Sequence, residues 1–292
     1  MNTLAIGLVI LSAILHALRD FFSKQSKDKS VFIWQFSSVS ILLTLPPAAW
    51  ILWHDWPINP LGIVIGLSAS IVHCLYWYAL AKALEHGDLS HVYPIGRSAP
   101  AFVLLFSVLI LHETATGWGV IGILLVVVGA YAINLKTLSL RGLSEPIRVL
   151  RHDHALRYAL LTLAAVTTYT IVDDRGVEYG NAIVYFFLTN TCSSLLFTLY
   201  IRRVRTKAQY LGTFKRQWRI VLLNAVLASG GYTLMLMAYT LERASYVSGL
   251  RQLSIPIAVM LGGHVLREPH KAIRFGASCM IVTGAVCIAL LG

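Results

Sequence analysis

The stretch "HALRDFFSK" (16–24) places four ionisable side chains inside the first apolar segment of the chain. A charge at the centre of a membrane-spanning helix costs about 2.5–3.5 kcal/mol on insertion scales. Arg19 and Lys24 have long stems and are expected to reach the membrane surface. His16 and Asp20 are four residues apart and share a helix face. Because Asp20 has a short stem, we expect it to face a partner or a water-filled cavity.

Two further arginines, Arg97 and Arg251, lie about a third of the way into later apolar segments. A guanidinium recognises carboxylate or phosphate groups through paired hydrogen bonds. Gln252 adds donors beside Arg251, and Tyr93 shares a helix face with Arg97. These side chains are therefore candidates to bind an anionic or zwitterionic solute, and a fixed structural ion pair is the alternative.

Aromatic and histidine residues accompany these charges. His73 and Trp77 are i, i+4 neighbours in "HCLYWYAL" (73–80), and Tyr232 falls opposite Trp77 when the two halves of the chain are aligned. Such rings can line a cavity or stack on a solute, but packing between helices explains them equally well. His16 and His73 could carry a coupling proton, or could be satisfied core histidines.

The elements that must position these residues are predicted to be membrane helices. Of the 292 residues, 57% are hydrophobic and 13% are charged, whereas soluble domains average about 25% charged residues. A span needs about 20 apolar residues, and this length predicts an all-α integral membrane protein with ten spans. The predicted spans are 3–24, 31–53, 61–84, 89–111, 116–136, 156–175, 181–201, 218–241, 244–266 and 271–291.

The distribution of positive charge predicts the orientation. Nineteen of the 24 Lys and Arg residues lie at the odd-numbered connections between spans, and two lie at the even-numbered ones. The positive-inside rule then places the odd connections in the cytoplasm and both termini in the periplasm. The basic run 202–219 is interpreted as a topology anchor near anionic lipid headgroups, so we expect no nucleic-acid partner.

The remaining residues give no sign of a cofactor or a metal site. The four cysteines lie in predicted spans without metal-type or disulfide-type spacing. Glu113 and Glu268 each precede a span at equivalent places, and we interpret both as helix caps rather than coupling acids. The N-terminus has no basic region before its apolar run, so it is interpreted as a retained helix rather than a signal peptide.

The chain contains an internal repeat. Residues 112–133 align without gaps to 267–288, which brings Glu113 opposite Glu268, and "HALRD" (16–20) lies opposite "YTIVD" (169–173). The predicted division is a first repeat (1–136), a polar linker (137–155) and a second repeat (156–292). Each copy holds five spans, and because five is odd, the copies must cross the membrane in opposite directions. Inverted repeats of this kind are typical of alternating-access transporters.

These motifs resemble the EamA-type transporters of the drug/metabolite transporter superfamily. The similarity is carried by "YPIGR…AP" followed by an apolar run and "LHE", by "YTIVDDRGV", and by "VSGLRQLSIPIAVMLGGHVLRE". The resemblance implies ten helices around a central cavity and transport of small organic solutes, amino acids or metabolites across a bacterial inner membrane. Many family members are assigned cytoplasmic termini, whereas the charge distribution here predicts the reverse.

The repeat also suggests a gating scheme. We expect Asp20–Arg97 at the inner side and Asp173–Arg251 at the outer side to form two gate pairs around a midplane site lined by His16, His73, Trp77 and Tyr232. The predicted partners are a small solute, membrane lipid and, if a histidine titrates, a proton, with the protein a monomer or homodimer. Two other classes stay open: an intramembrane enzyme acting on a lipid-linked phosphate, and a non-transporting receptor or scaffold.

Overall fold

The computed structural model describes residues 1–23, 26, 28–54, 59–86, 95–96, 98–132, 154–265 and 271–292, and within these ranges every regular element is helical. The helices are α1 (Thr3–Ser23), α2 (Lys29–His54), α3 (Pro60–His86), α4 (Ala99–Ile110), α5 (Gly117–Ala132), α6 (His154–Val177), α7 (Ala182–Val204), α8 (Lys207–Tyr239), α9 (Ala244–Leu250), α10 (Ser254–Val265) and α11 (Lys271–Val286). A 3₁₀ turn, Arg251–Leu253, joins α9 to α10, and a π-helical turn, Cys287–Leu291, follows α11. The all-helical class is confirmed.

Six described segments are long and apolar enough to cross a membrane. They are Thr3–Ser23, Lys29–His54, Pro60–Ala83, Ala182–Val204, Lys207–Tyr239 and Ile273–Leu291. The helices α4 and α5 are apolar but shorter, and the neighbouring ranges 87–94 and 133–153 lie outside the described residues. α6 has sufficient length but carries Arg157, Asp173 and Asp174, so polar residues rather than length distinguish it from the six.

The predicted span 244–266 is not one continuous helix. Its α-helical hydrogen bonding is interrupted at Arg251–Leu253, where the backbone forms a 3₁₀ turn between α9 and α10. Pro256 has no amide hydrogen, so the carbonyl of Gln252 cannot receive its usual helical bond. Irregular backbone at membrane depth is tolerated where it lines a cavity or is buried in protein. The break therefore places Arg251 and Gln252 at the point where the span changes its geometry.

The basic segment 202–219 is more ordered than a simple connecting loop. Thr206 and Gln209 form a reciprocal capping box that starts α8 at Lys207, which satisfies two free backbone donors. A non-helical residue, Gln217, then bends α8 immediately before the predicted start of its span. The bend lies one residue before the predicted start of the span at residue 218, and the residues before it are mainly helical.

The helices pack in matched sets across the repeat. The packing of α1 on α8 corresponds to the packing of α3 on α6. In the same way, the α2–α8 contact corresponds to the α3–α7 contact, and the α1–α10 contact corresponds to the α4–α6 contact. Each contact becomes its counterpart when the first five spans exchange places with the last five. The pairs α2–α7 and α5–α11 are converted into themselves by the same exchange. The matched contacts agree with a chain made of two related halves.

Small residues bring α5 and α11 into backbone contact. A Cβ atom added to Gly122 would lie 2.7 Å from the carbonyl oxygen of Gly284, and one added to Gly129 would lie 2.8 Å from that of Ala277. Gly276, also in α11, has open space around its Cα. Close helix approach at small residues is the usual way to gain dispersion energy in lipid.

Candidate functional site

A cavity of about 570 Å³ lies between the helices of the two halves, within the size range of small-molecule sites. Its wall includes residues of every helix except α5 and α11, together with the 3₁₀ turn. The wall extends to Ser23 and Lys29, and an ion pair of 2.6 Å between Asp28 and Arg205 ties this region to the end of α7. We call this end of the molecule, where Ser23, Asp28 and Lys29 lie near residues 202–207, the basic end.

Asp173 in α6 is fully buried, and its carboxylate receives hydrogen bonds from three other helices. Tyr185 of α7 donates to Oδ1 over 2.9 Å, and His73 Nε2 of α3 lies 3.0 Å from Oδ2. The hydroxyl of Tyr232 in α8 also donates to Oδ2. Because a carboxylate only accepts, Nε2 of His73 carries a hydrogen in this arrangement. The cluster compensates for the cost of burying the charge.

A glycine and an aromatic ring position this cluster. A Cβ atom added to Gly176 would overlap the ring of Tyr185, so only glycine lets that tyrosine lie close against α6. The ring of Tyr169 stacks on His73 with centroids 4.2 Å apart. His73 is thus held by its hydrogen bond to Asp173 and by stacking on the ring of Tyr169, and it has little freedom to change its rotamer.

Arg251 contacts other groups than Asp173. Its Nη2 lies 3.2 Å from Nδ1 of His16, and its guanidinium carbon lies 5.5 Å from the centroid of the Tyr232 ring. Among the described residues, no carboxylate oxygen comes within 4.0 Å of Arg251. Tyr232 therefore stands between the two members of the predicted outer pair, bonding to Asp173 and lying against Arg251. The predicted direct Asp173–Arg251 contact is replaced by this bridge in the present structure.

The charges of the opening stretch form a cluster of their own on α1. Arg19 donates to Asp20 Oδ1 from Nη2 over 2.7 Å and from Nε over 3.2 Å. His16 Nε2 lies 3.5 Å from Asp20 Oδ2 and 3.3 Å from Arg19 Nη2. All three side chains line the cavity. Arg19, which we expected to reach the membrane surface, instead lines the cavity and pairs with Asp20.

Aromatic rings line much of the remaining wall. Trp77 contacts Phe197 edge to face, with centroids 5.6 Å apart, and one side of it borders the cavity. Phe186 packs against Tyr232 with centroids 5.7 Å apart. Gln252 also lines the cavity. This mixture of apolar rings with a few converging polar groups is typical of small-molecule sites.

The end of the molecule opposite to the basic end is held together by polar contacts between the repeats. Glu113, in the α4–α5 connection, accepts hydrogen bonds from Ala244 N over 2.8 Å and from Ser245 Oγ over 2.5 Å. Tyr246 OH accepts a bond of 3.0 Å from Thr116 N. Glu113 is a helix cap, as expected, but it caps α9 of the other repeat rather than α5. We call this contact the Glu113 clamp.

The cavity brings together most of the predicted site residues. Those that line it are His16, Asp20, His73, Trp77, Tyr232, Arg251 and Gln252. Tyr93 and Arg97 lie outside the described residues, so the Asp20–Arg97 pair stays a prediction. Asp173 lies directly behind the wall, in contact with His73 and Tyr232. Within the described ranges, no group of three His, Cys, Asp or Glu residues could hold a metal ion.

Three residues that sequence reasoning passed over belong to the site: Tyr169, Tyr185 and Phe186. Tyr169 was recoverable, because it precedes Asp173 by four residues just as His16 precedes Asp20 in the aligned half. Tyr185 and Phe186 lie in an ordinary apolar span, and only the tertiary packing of α7 against α6 and α8 directs them toward the cluster.

Comparison with known proteins agrees with this architecture. The sequence profile of the EamA-like transporter family matches twice, at residues 3–135 and 155–290. An uncharacterized protein of Methanocaldococcus jannaschii is 30% identical over 138 residues, which is 45% of this chain and 97% of that protein. A solved crystal structure covers 99% of this chain and 98% of its own, with a TM-score of 0.72 and 14% identity, which shows a shared fold.

The fold and its cavity define a multi-pass helical membrane protein built from two related halves. The two profile matches together cover nearly the whole sequence. The chain belongs to the EamA-like transporter family, and this membership implies a small-molecule solute and a lipid environment.

Proposed function

We propose that this protein is a secondary transporter that moves a small organic solute across the membrane by alternating access. The observation that carries the proposal is the cavity between the repeats, which extends to the basic end while the Glu113 clamp joins the repeats at the other end. The matched packing of the two halves supports a 5 + 5 inverted repeat, the architecture of many alternating-access transporters.

The solute site is assigned to the cavity wall. Its binding groups are His16, His73, Trp77, Tyr232, Arg251 and Gln252, and we expect Tyr93 and Arg97 to contribute from the same side. The guanidinium of Arg251 and the donors of Gln252 suit an anionic or zwitterionic head group. The rings of Trp77 and Tyr232 suit an apolar body.

We place the protein in a bacterial inner membrane with the basic end in the cytoplasm. The excess of Lys and Arg at that end supports this orientation, which leaves both termini in the periplasm. The conformation described above then faces inward.

The outer gate is proposed to act through Tyr232. Tyr232 bonds to Asp173 and lies against Arg251. A movement of Arg251 toward the solute would therefore shift Tyr232 and change its hydrogen bond to the buried carboxylate. Removing one partner of a buried charge cluster costs on the order of 3–5 kcal/mol. Asp173→Asn and Arg251→Gln are therefore expected to abolish transport and to favour an outward-facing state. Asp20→Asn and Arg97→Gln are expected to favour the inward-facing state.

Transport can be tested without knowing the solute. Purified protein in proteoliposomes is exposed to a mixture of amino acids, organic acids and sugar phosphates, and the trapped solutes are identified by mass spectrometry. We expect at least one solute to accumulate above the level in empty liposomes, and Asp173→Asn to abolish the accumulation. No accumulation by folded wild-type protein under either sign of pH gradient would contradict the proposal.

A further inference from the structure

Arg251 is a cation in the cavity wall, and no carboxylate among the described residues pairs with it. Asp20 bonds to Arg19, Asp173 bonds to His73 and two tyrosines, and Glu113 bonds to α9. Nε of Arg251 is buried and has no hydrogen-bond partner among the described residues. A buried donor left unpaired costs free energy. A bound anion that accepts a hydrogen bond from Nε would remove this cost.

The side chain bonded to Arg251 is His16, which can accept this bond only when its Nδ1 carries no hydrogen. A guanidinium has donors and no acceptor, so Nδ1 of His16 must accept the hydrogen bond of 3.2 Å from Nη2. The hydrogen of a neutral ring is then on Nε2, which lies 3.5 Å from Asp20 Oδ2. A protonated His16 keeps its approach to Asp20 but can no longer accept from Arg251.

The groups that face His16 determine the effect of this proton. Among the described residues, Arg19 and Asp20 contact it from α1 and Arg251 contacts it from the 3₁₀ turn. The ring of Tyr232 in α8 lies under the Arg251 guanidinium. Asp20 stabilises a protonated ring, whereas Arg19 and Arg251 repel it. A bound anion on Arg251 removes part of that repulsion and takes over the hydrogen bonds that His16 releases. Proton binding at His16 and anion binding at Arg251 therefore favour each other.

We infer that His16 and Arg251 form a linked site that binds a proton and a solute carboxylate together. The inference rests on the proposed transport function and specifies its solute class and coupling ion. One guanidinium and one imidazolium match a small organic monocarboxylate, and the planar guanidinium can bond to both carboxylate oxygens. The neighbouring rings of Phe186 and Tyr232 would contact the apolar part of that solute.

The inference is tested by binding to the purified full-length protein, using probes that differ only in charge. A series of monocarboxylates from acetate to phenylacetate is compared with the matching amides by thermal stabilisation, at about pH 6 and about pH 8, the range in which histidine changes charge. We expect one or more carboxylates, but not their amides, to raise the melting temperature. The apparent affinity should be about tenfold higher at the lower pH, within the usual range of coupling between sites.

Variants separate the two parts of the site. Arg251→Gln should lose the response to carboxylates at both pH values, while His16→Gln should keep a response that no longer depends on pH. His54→Gln, which changes a histidine at the far end of α2, should behave as wild type. Equal stabilisation by amides, no stabilisation by any carboxylate, or a pH dependence that survives in His16→Gln would overturn the inference.

Transport separates this inference from the function on which it rests. Proteoliposomes that carry a neutral solute, with Arg251→Gln as active as wild type, would contradict the carboxylate site and leave the transporter assignment intact. Carboxylate binding that follows the pattern above, in a protein that moves no solute, would contradict the transporter assignment and leave the linked site intact.

Discussion

Asp173 is the residue on which the contacts behind the cavity converge. Side chains from α3, α7 and α8 all bond to its carboxylate, and two of them, His73 and Tyr232, also line the cavity. One layer of side chains therefore separates the cavity from a buried carboxylate. Since hydrogen bonds to charged groups contribute about 1.5–3 kcal/mol, the cluster should contribute measurably to stability.

The first prediction tests the tyrosine that lies outside the cavity wall. Tyr185→Phe removes a hydroxyl that donates to buried Asp173 over 2.9 Å and should lower the free energy of unfolding by about 1.5–3 kcal/mol. Tyr179→Phe is the control, because Tyr179 is 36% exposed. Denaturant unfolding in detergent measures both. Equal stability of the two variants would show that the Tyr185 bond is not a stabilising contact.

At the residue scale, the sequence predicts the wall of the site better than the layer behind it. His16, His73, Trp77, Tyr232 and Arg251 were recognisable because polar or aromatic side chains in apolar helices are costly or conspicuous. The sequence does not indicate which of these side chains bond to each other, because that depends on distances in the folded protein. Arg251 bonds to His16 instead of Asp173, and Tyr185 enters the cluster only because Gly176 leaves room for its ring.

At the element scale, two of the contacts between the repeats lie away from the cavity: the α5–α11 crossing and the Glu113 clamp. The crossing is tight because glycines face backbone carbonyls of the opposite helix. The clamp satisfies the amide of Ala244, the first residue of α9, which would otherwise be unpaired at a helix start. Both contacts lie outside the cavity wall, so their effects on stability can be measured separately from solute binding.

Two alanine substitutions in α11 provide a matched pair. A Cβ atom at Gly284 would lie 2.5 Å from the carbonyl oxygen of Gly122, whereas a Cβ atom at Gly276 meets nothing within 4 Å. Gly284→Ala should therefore lower the stability by about 1–3 kcal/mol, the usual cost of overpacking. Gly276→Ala should be neutral or slightly stabilising. Thermal unfolding measures the difference, and an equal loss in both variants would contradict the close crossing.

The Glu113 clamp is tested against a second glutamate. Glu113→Gln keeps one acceptor oxygen but loses the charge and weakens the bonds to Ala244 and Ser245, which should cost about 0.5–2 kcal/mol. Glu178→Gln breaks an exposed pair with Arg175, and pairs of that kind contribute about 0–1 kcal/mol. A larger loss in Glu178→Gln than in Glu113→Gln, measured by thermal unfolding, would show that the clamp is unimportant for stability.

The elements themselves were largely predictable, since hydropathy and length define membrane helices. The predicted starts of the first three spans and of the last lie within three residues of the helix starts. The break at Arg251–Leu253 was missed because the apolar run continues through it without a change in hydropathy. The helical start of α8 was missed because its basic residues resemble a loop, although Thr206 and Gln209 carry a capping signal.

At the scale of the whole molecule, the repeat and the charge distribution make a joint prediction. The Lys and Arg count places residues 202–219 in the cytoplasm and Gly292 in the periplasm. A C-terminal alkaline phosphatase fusion should therefore be active, and a C-terminal fluorescent protein that matures only in the cytoplasm should be dark. The reverse result would assign the cavity described above to the outward-facing state.

Alternating access is the central claim, and the accessibility of Ala228 tests it most directly. Ala228 lies on α8 in the cavity wall, and Leu195 on α7 is 61% exposed on the outer surface of the helices. Each is changed to cysteine in a background without Cys74, Cys192, Cys279 and Cys287, and a membrane-impermeant maleimide is applied from either side of the membrane. We expect Ala228→Cys to be labelled from the side of the basic end. When Asp173→Asn is added, Ala228→Cys should also be labelled from the opposite side. Leu195→Cys, the control, should resist labelling from both sides. Labelling of Ala228→Cys from one side only, in every variant and under active transport, would contradict alternating access.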